Sequence, residues 1–223
     1  MTWNIHGGVG IDGRFDLGRV VDVIARHNRD VVALQEVDSR RSPSSVRSPF
    51  DFLRDAVGHG IAAKSLVTAD GEYGQMIVSR WPLGEPEIHD ITHRDREPRR
   101  AIEAHVSTTV GSLRVVATHF GLSLGERRVQ ARRLVAIARR HETATVMLGD
   151  FNEWFWPASL RGALGRELPA RTRYATFPSW YPIFRLDRIF CWPTKIMRAS
   201  YVDRSARLVS DHLPVVADLD LTM

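Results

Sequence analysis

Thr145-Val146-Met147-Leu148-Gly149-Asp150-Phe151-Asn152 runs from a β-branched apolar segment into a glycine, then into an acid and an amide two positions apart. The apolar run predicts a buried strand. Gly149 permits a turn or a close backbone approach. Strand periodicity sends Asp150 and Asn152 to one side. A carboxylate there can orient or deprotonate water, and the amide can donate to a phosphate oxygen or hold the carboxylate. Alone, the same residues read first as an Asx-rich turn capping the next helix. Other strand ends give the stretch its meaning.

Four such ends carry polar groups of matching chemistry. Trp3-Asn4-Ile5 opens the chain, and Val31–Leu34 is an apolar run ending at Gln35-Glu36-Val37. The run Leu113–Thr118 ends at His119, and Ser210-Asp211-His212 precedes the alternating stretch Val215–Leu219. Asp187 stands beside Arg188 on the mainly apolar run Leu186–Phe190. A buried acid needs a partner. His212 supplies one; pairing with Arg185 or Arg188 at a half-exposed edge is the alternative. A cationic His212 donates to a phosphate and stabilises charge building on it, and a carboxylate behind it keeps it cationic. A hard cation such as Mg²⁺ takes one or two carboxylates plus water and substrate phosphate, which Glu36 and Asp211 match. Asn4 is placed to orient Glu36 or a bound water. His119 is a candidate for stabilising the phosphate or protonating the leaving oxygen.

The rest of the chain sets bounds. Its 223 residues are 43% hydrophobic and 26% charged, ordinary for a globular protein with a substantial core. No stretch approaches the ~20 apolar residues that cross a bilayer. A single cysteine, Cys191, rules out an internal disulfide and reads as a small buried apolar residue. Cytoplasmic placement and a monomer are the expectations. The formal charge is +5, and lysine occurs only at Lys64 and Lys195, so the positive charge is nearly all arginine. Arginine forks suit phosphate oxygens, and the excess favours a polyanion such as nucleic acid or an anionic lipid surface.

Leu17, Val20, Val21 and Ile24 recur at helical spacing within Asp16–Asn28. Ser123-Leu-Gly-Glu126 predicts a capping box opening a helix to about His141, its arginines mostly outward. Further strands are expected at Ile61–Val67, Met76–Val78, Ile102–Val106, Thr145–Leu148 and Ala199–Val202. Residues 39–49, 89–100 and 154–181 read as surface loops, the last with an aromatic group Trp154, Phe155, Trp156, Trp180 and Tyr181 that would stack bases, touch lipid or pack beneath its own loop. Many strands and few helices in mixed order imply an α/β (α+β) architecture of stacked sheets with helices outside. No linker or repeat divides residues 1–223, so one domain is expected.

TWNI (Thr2–Ile5), LQEV (Leu34–Val37), VSRWPL (Val78–Leu83), ATHF (Ala117–Phe120), LGDFN (Leu148–Asn152), RLDRIF (Arg185–Phe190) and SDHLPV (Ser210–Val215) together resemble the endonuclease/exonuclease/phosphatase superfamily, in family order across nearly the whole chain. The resemblance implies a four-layer α/β sandwich, two packed mixed β-sheets flanked by helices, with one site at the strand ends. It implies Glu36 as metal ligand, Asn4 and Asp211 close to the metal, and Asp150 and Asn152 at the nucleophilic water. It places His212 on the scissile phosphate with Asp187 behind it, His119 as the family's second histidine, and Arg99 or Arg100 as the phosphate-contacting arginine. His6 stands where repair nucleases of the superfamily often carry an acid, and no glutamate partner for His119 can be placed around Tyr73–Gln75. The expected activity is Mg²⁺-dependent phosphoester hydrolysis (Mn²⁺ also suits the ligands), nuclease-like on a phosphodiester. A phospholipid, sphingomyelin or inositol-phosphate esterase is the alternative, and a catalytically silent binding module the third.

Overall fold

A computed structural model describes residues 1–42, 47–140, 143–154 and 160–222. Two six-stranded sheets lie face to face. The first orders as β11-β12-β1-β2-β4-β3, built from β1 (Thr2–Asn4), β2 (Val31–Asp38), β3 (His59–Thr68), β4 (Gly71–Ser79), β11 (Met197–Val202) and β12 (Val215–Leu219). The second orders as β5-β6-β7-β8-β10-β9, built from β5 (Glu87–Asp90), β6 (Arg100–Thr108), β7 (Gly111–His119), β8 (Ala144–Asp150), β9 (Ala170–Arg171) and β10 (Asp187–Trp192). Helices α1 (Leu17–Arg26) and α2 (Pro49–Val57) cover the first sheet, and α3 (Leu124–Ala138) and α4 (Leu160–Glu167) the second.

Each central strand is buried on both faces, hence its unbroken apolar run. In β2, Val32 and Leu34 face α1 and α2 while Ala33 faces the other sheet. In β8, Met147 faces α3 while Val146 and Leu148 face inward. Small residues (Ala33, Ala63, Ala104, Ala117) recur in the inner layer. Four layers result, as the resemblance implies.

Asp16 caps α1 by accepting from the amides of Gly18 and Arg19. Ser123 caps α3 by accepting from Glu126 N, 3.3 Å, but the Glu126 carboxylate takes a bond from Gln130 within the helix. The described helix ends at Ala138; the expected end near His141 lies outside the described residues. Of its outward arginines, Arg133 donates to the carbonyls of Asp90 and Thr92, Arg139 pairs with Glu167, and Arg140 with Glu87. These three arginines are tied to their own fold, while Arg128 and Arg132 are exposed.

The loop expectations need correction in three places. The first loop ends one residue early, because Pro49 opens α2, a helix not expected from sequence in which only Pro49, Phe50 and Leu53 are buried. Glu87–Asp90 is an edge strand with one intermediate and three exposed residues, too polar to read as one. Within 154–181 lie α4 and β9.

The pairing pattern positions the site. β1 runs parallel to β2 and β7 parallel to β8, so four C-terminal ends gather at one end of the sandwich. β10 runs antiparallel to β8 with Asp187 opposite Asp150, which brings its first residue to that end. Gly149 makes the junction possible: its φ is 156°, and a Cβ there would lie 1.9 Å from the Thr118 carbonyl oxygen. Gly149→Ala is therefore expected to cost about 3 kcal/mol or more, from a strained backbone plus a forced shift of β7. A drop in the urea midpoint reports it, and a change under about 0.5 kcal/mol would show that the two strands are not packed as described.

Candidate active site

Asn4, Glu36, His119, Asp150, Asn152, Asp187 and His212 meet at this end. Asn4 ties the two sheets together: its Nδ2 donates to Glu36 Oε1 at 2.9 Å and to Asp150 Oδ2 at 3.1 Å. The backbone amide of His6 donates to Asn4 Oδ1 at 3.1 Å, which fixes the side-chain amide with its nitrogen toward the carboxylates. Glu36 reaches Asn4 from a β-bulge between Leu34 and Val37, where its own φ is 56°. Asn152 has φ 49° and His6 φ 48°. Such backbone costs about 1 kcal/mol or more per residue and persists where the surroundings demand it. All three positions adjoin the shared carboxylates.

Asp150 is 1% exposed. Asn152 N donates to its Oδ1 at 2.9 Å. Burial, then the neighbouring Asp187 charge, raise its pKa to about 6, against the lowering influence of His212 and the hydrogen bonds from Asn152 and Asn4. Asp187, fully buried, lies 2.8 Å from His212 Nδ1. Burial pulls His212 down, but Asp187, with lesser help from Asp150 and Asp211, more than reverses this and lifts it to about 10. His212 is therefore an imidazolium at neutral pH, with Nε2 3.9 Å from Asp150 Oδ2. Arg188 pairs with Glu153 at 3.1 Å and leaves Asp187 to the histidine.

His119 is opposite in character. Arg99 lies 7% exposed behind it, with Nη1 2.9 Å from His119 Nδ1. A guanidinium only donates, so Nδ1 accepts and the proton sits on Nε2. Burial first, then Arg99 and His212, push His119 well below the usual histidine range. A neutral Nε2–H thus lies 3.6 Å from Asp150 Oδ2 and 4.0 Å from Glu36 Oε1. The missing glutamate partner of His119 is replaced by an arginine.

Three expected contributors stand apart from the cluster. Arg99 is buried behind His119 and also pairs with Glu97 at 3.3 Å. Arg100 pairs with Asp90 at 2.6 Å on the β5 side. Asp211 lies at the rim, its Oδ1 3.4 Å from Ser210 Oγ and 3.9 Å from His6 Nδ1. Two supports were not read from sequence. Trp3 Nε1 donates to the His212 carbonyl at 2.9 Å, and Ser210 Oγ donates to the Asn4 carbonyl at 2.7 Å while accepting from His212 N. Both lie next to site residues in the motifs already quoted, but spacing carries no hint of a bond spanning 209 positions. Of the aromatic group, Trp154 packs against Phe177 and Phe184, and Trp180 and Tyr181 are exposed. Phe155 and Trp156 lie outside the described residues.

The model of the Endonuclease/Exonuclease/phosphatase family matches residues 1–212, and the seven side chains above fall within that span. The chain belongs to the endonuclease/exonuclease/phosphatase family. A relative among curated proteins is the uncharacterized protein YbhP of Escherichia coli, 28% identical, the match covering 99% of this chain and 95% of YbhP. Among solved structures, an endonuclease/exonuclease/phosphatase from Beutenbergia cavernae superposes with a TM-score of 0.80 at 23% identity, covering 99% of this chain and 70% of that one. The 3' phosphatase NExo from Neisseria, bound to a product DNA hairpin, superposes with a TM-score of 0.70 at 21% identity over 98% of each chain. These likenesses establish the family's fold for the chain. No described helix is long and apolar enough to cross a membrane.

Asp150, Asp187 and His212 offer three potential ligand atoms within 4.8 Å of one another. They make a poor cation site, because His212 is protonated and its Nδ1 already engages Asp187. Glu36, its side chain 25% exposed and held by Asn4, is the better anchor.

Proposed function

We propose that the chain is a divalent-cation-dependent phosphoester hydrolase in which Asp150 takes the proton of an attacking water and His212 stabilises the phosphate. The observation that carries this reading is the 2.8 Å contact between Asp187 and His212 Nδ1. It keeps a buried histidine cationic with its other nitrogen toward the general base. A binding module has no need of that pairing.

The water oxygen forms a bond to phosphorus as its proton passes to Asp150, whose pKa near 6 suits a base working at neutral pH. The phosphorus–oxygen bond to the leaving alcohol breaks, and that oxygen takes a proton from solvent. His212 donates from Nε2 to a phosphate oxygen as charge accumulates there. His119 donates a neutral Nε2–H into the same space, and Asn152 holds the Asp150 carboxylate through its backbone amide.

A metal fits the residues present. Glu36 offers carboxylate oxygen beside Asp150, and Asp211 stands at the rim, a hard-oxygen set suited to Mg²⁺ or Mn²⁺. When bound, the cation neutralises phosphate charge and supports the leaving oxygen. Asn4 positions Glu36. Chelator is expected to abolish turnover, Mg²⁺ or Mn²⁺ to restore it, and Glu36→Gln to raise the cation concentration for half-activity about tenfold or more. Full turnover in chelator would refute the metal requirement.

A nucleic-acid phosphodiester is one substrate class, favoured by the arginine-rich surface. Structural relatives include a zebrafish TDP2 solved with a single strand DNA product and a mannosyl-6-phosphatase of Bacteroides thetaiotaomicron, so the fold serves more than one phosphoester. A lipid or inositol phosphoester is the second reading, favoured by aliphatic side chains beside the site. Plasmid nicking and sphingomyelin hydrolysis, each with Mg²⁺ and with chelator, separate the two.

A further inference from the structure

We propose that the apolar rim beside the site docks on an anionic membrane surface, so that the phosphoester it presents lies in a lipid headgroup; this rests on the hydrolase reading above. Five of the large apolar side chains most exposed among the described residues stand on this rim. Trp180 (68% exposed), Tyr181 (64%) and Ile183 (55%) crown one loop, while Leu208 (54%) and Ile11 (42%) stand on two others.

Backbone bonds join the three loops into one surface. Ile11 N donates to the Leu208 carbonyl at 3.3 Å, and Ser179 N to the Asp211 carbonyl at 2.7 Å. Ser179 Oγ donates to the Arg207 carbonyl at 2.9 Å. The first loop is a braced hairpin rather than a loose flap. Phe177 and Phe184 bridge as antiparallel partners, and Trp154 wedges against both rings. Phe177 also packs on the His212 imidazole, ring centroids 4.9 Å apart, so the rim borders the catalytic mouth.

The chemistry of the rim selects its partner. Ile11, Ile183 and Leu208 have no π-face, so they add nothing to a base-stacking platform, which needs rings in succession. Aliphatic groups mixed with Trp and Tyr suit the headgroup–acyl boundary. Arg14, Arg185 and Arg207 are exposed beside them and make no ion pair among the described residues. Of the nearby acids, Asp12 and Asp16 are engaged by Arg19, and Asp211 faces His6. Uncompensated arginines around an apolar tip complement the negative potential of anionic lipid.

Vesicle co-sedimentation tests this without turnover, using Asp150→Asn protein. Binding to phosphatidylcholine vesicles containing phosphatidylserine is expected to exceed binding to pure phosphatidylcholine about tenfold, and to weaken with salt. A Trp180→Ser/Ile183→Ser variant is expected to lose about tenfold in vesicle affinity, with its thermal midpoint unchanged and, in the Asp150 background, its turnover of soluble bis(4-nitrophenyl) phosphate unchanged. Equal or negligible binding to both vesicle types would overturn the proposal while leaving the hydrolase reading intact. So would vesicle binding indifferent to the double substitution. Loss of single-stranded oligonucleotide binding, with vesicle binding retained, would make the rim a nucleic-acid platform instead.

Discussion

Asp187→Asn is expected to lower turnover about 10³- to 10⁴-fold at neutral pH, the scale seen when the acid orienting a catalytic histidine is neutralised. The substitution keeps the shape and removes the charge. His212 is then left with burial as its largest influence, which favours the neutral ring. The sign is definite. The wild-type imidazolium persists up to about pH 10, so His212 causes no alkaline fall in activity below that. Without Asp187 its pKa falls, since burial then opposes only the lesser pull of Asp150 and Asp211, and the alkaline limb moves toward neutrality. An Asp187→Asn enzyme with the wild-type pH profile, however slow, would show that the carboxylate does not hold the proton on His212. The same pair bears on folding. A histidine raised in the folded state contributes stability fully present below pH 6.5, which is lost as pH rises through about 10.

Asp150→Asn is expected to cost about 10³-fold or more in turnover, since no other described carboxylate stands between the two histidines. Stability should move the other way. A buried acid whose pKa rises from 3.8 to about 6 destabilises the fold once it ionises. Two units correspond to about 3 kcal/mol at most. The asparagine is thus expected to raise the thermal midpoint by several degrees at pH 8 and by little at pH 4, where wild-type Asp150 is already protonated. A second effect separates this from simple loss of the base. Asparagine offers one acceptor oxygen where the carboxylate offers two, so either Asn152 N or Asn4 Nδ2 loses its acceptor; where Asn4 loses it, the brace on Glu36 loosens and cation affinity falls. An Asp150→Ala enzyme within tenfold of wild type would reject the assignment of Asp150 as base.

Much of this arrangement was legible in the sequence because its parts are local. Strand, glycine and acid sit together at Thr145–Asn152, and Asp187 betrays itself as an acid opening a mostly apolar strand. Other features depend on partners distant in the chain. Arg99 is expected at the phosphate, and nothing in the sequence sets it against His119 instead. Burial, with that partner adding to it, makes His119 a neutral donor rather than an acid. Asn4 spans two carboxylates because the His6 amide fixes its orientation, a detail that residue type alone does not encode. Helix α2 shows the same limit at the level of fold: its three buried positions are too few to raise a helical period above the noise.

Soaking crystals with Mn²⁺ and phosphate shows whether the acids of two sheets serve one ion and one phosphate. Anomalous density is expected beside Glu36, with a phosphate oxygen within hydrogen-bond reach of His212 Nε2. Manganese bound only elsewhere, for instance among Glu87, His89 and Glu103, with the space beside His212 refusing phosphate, would contradict it.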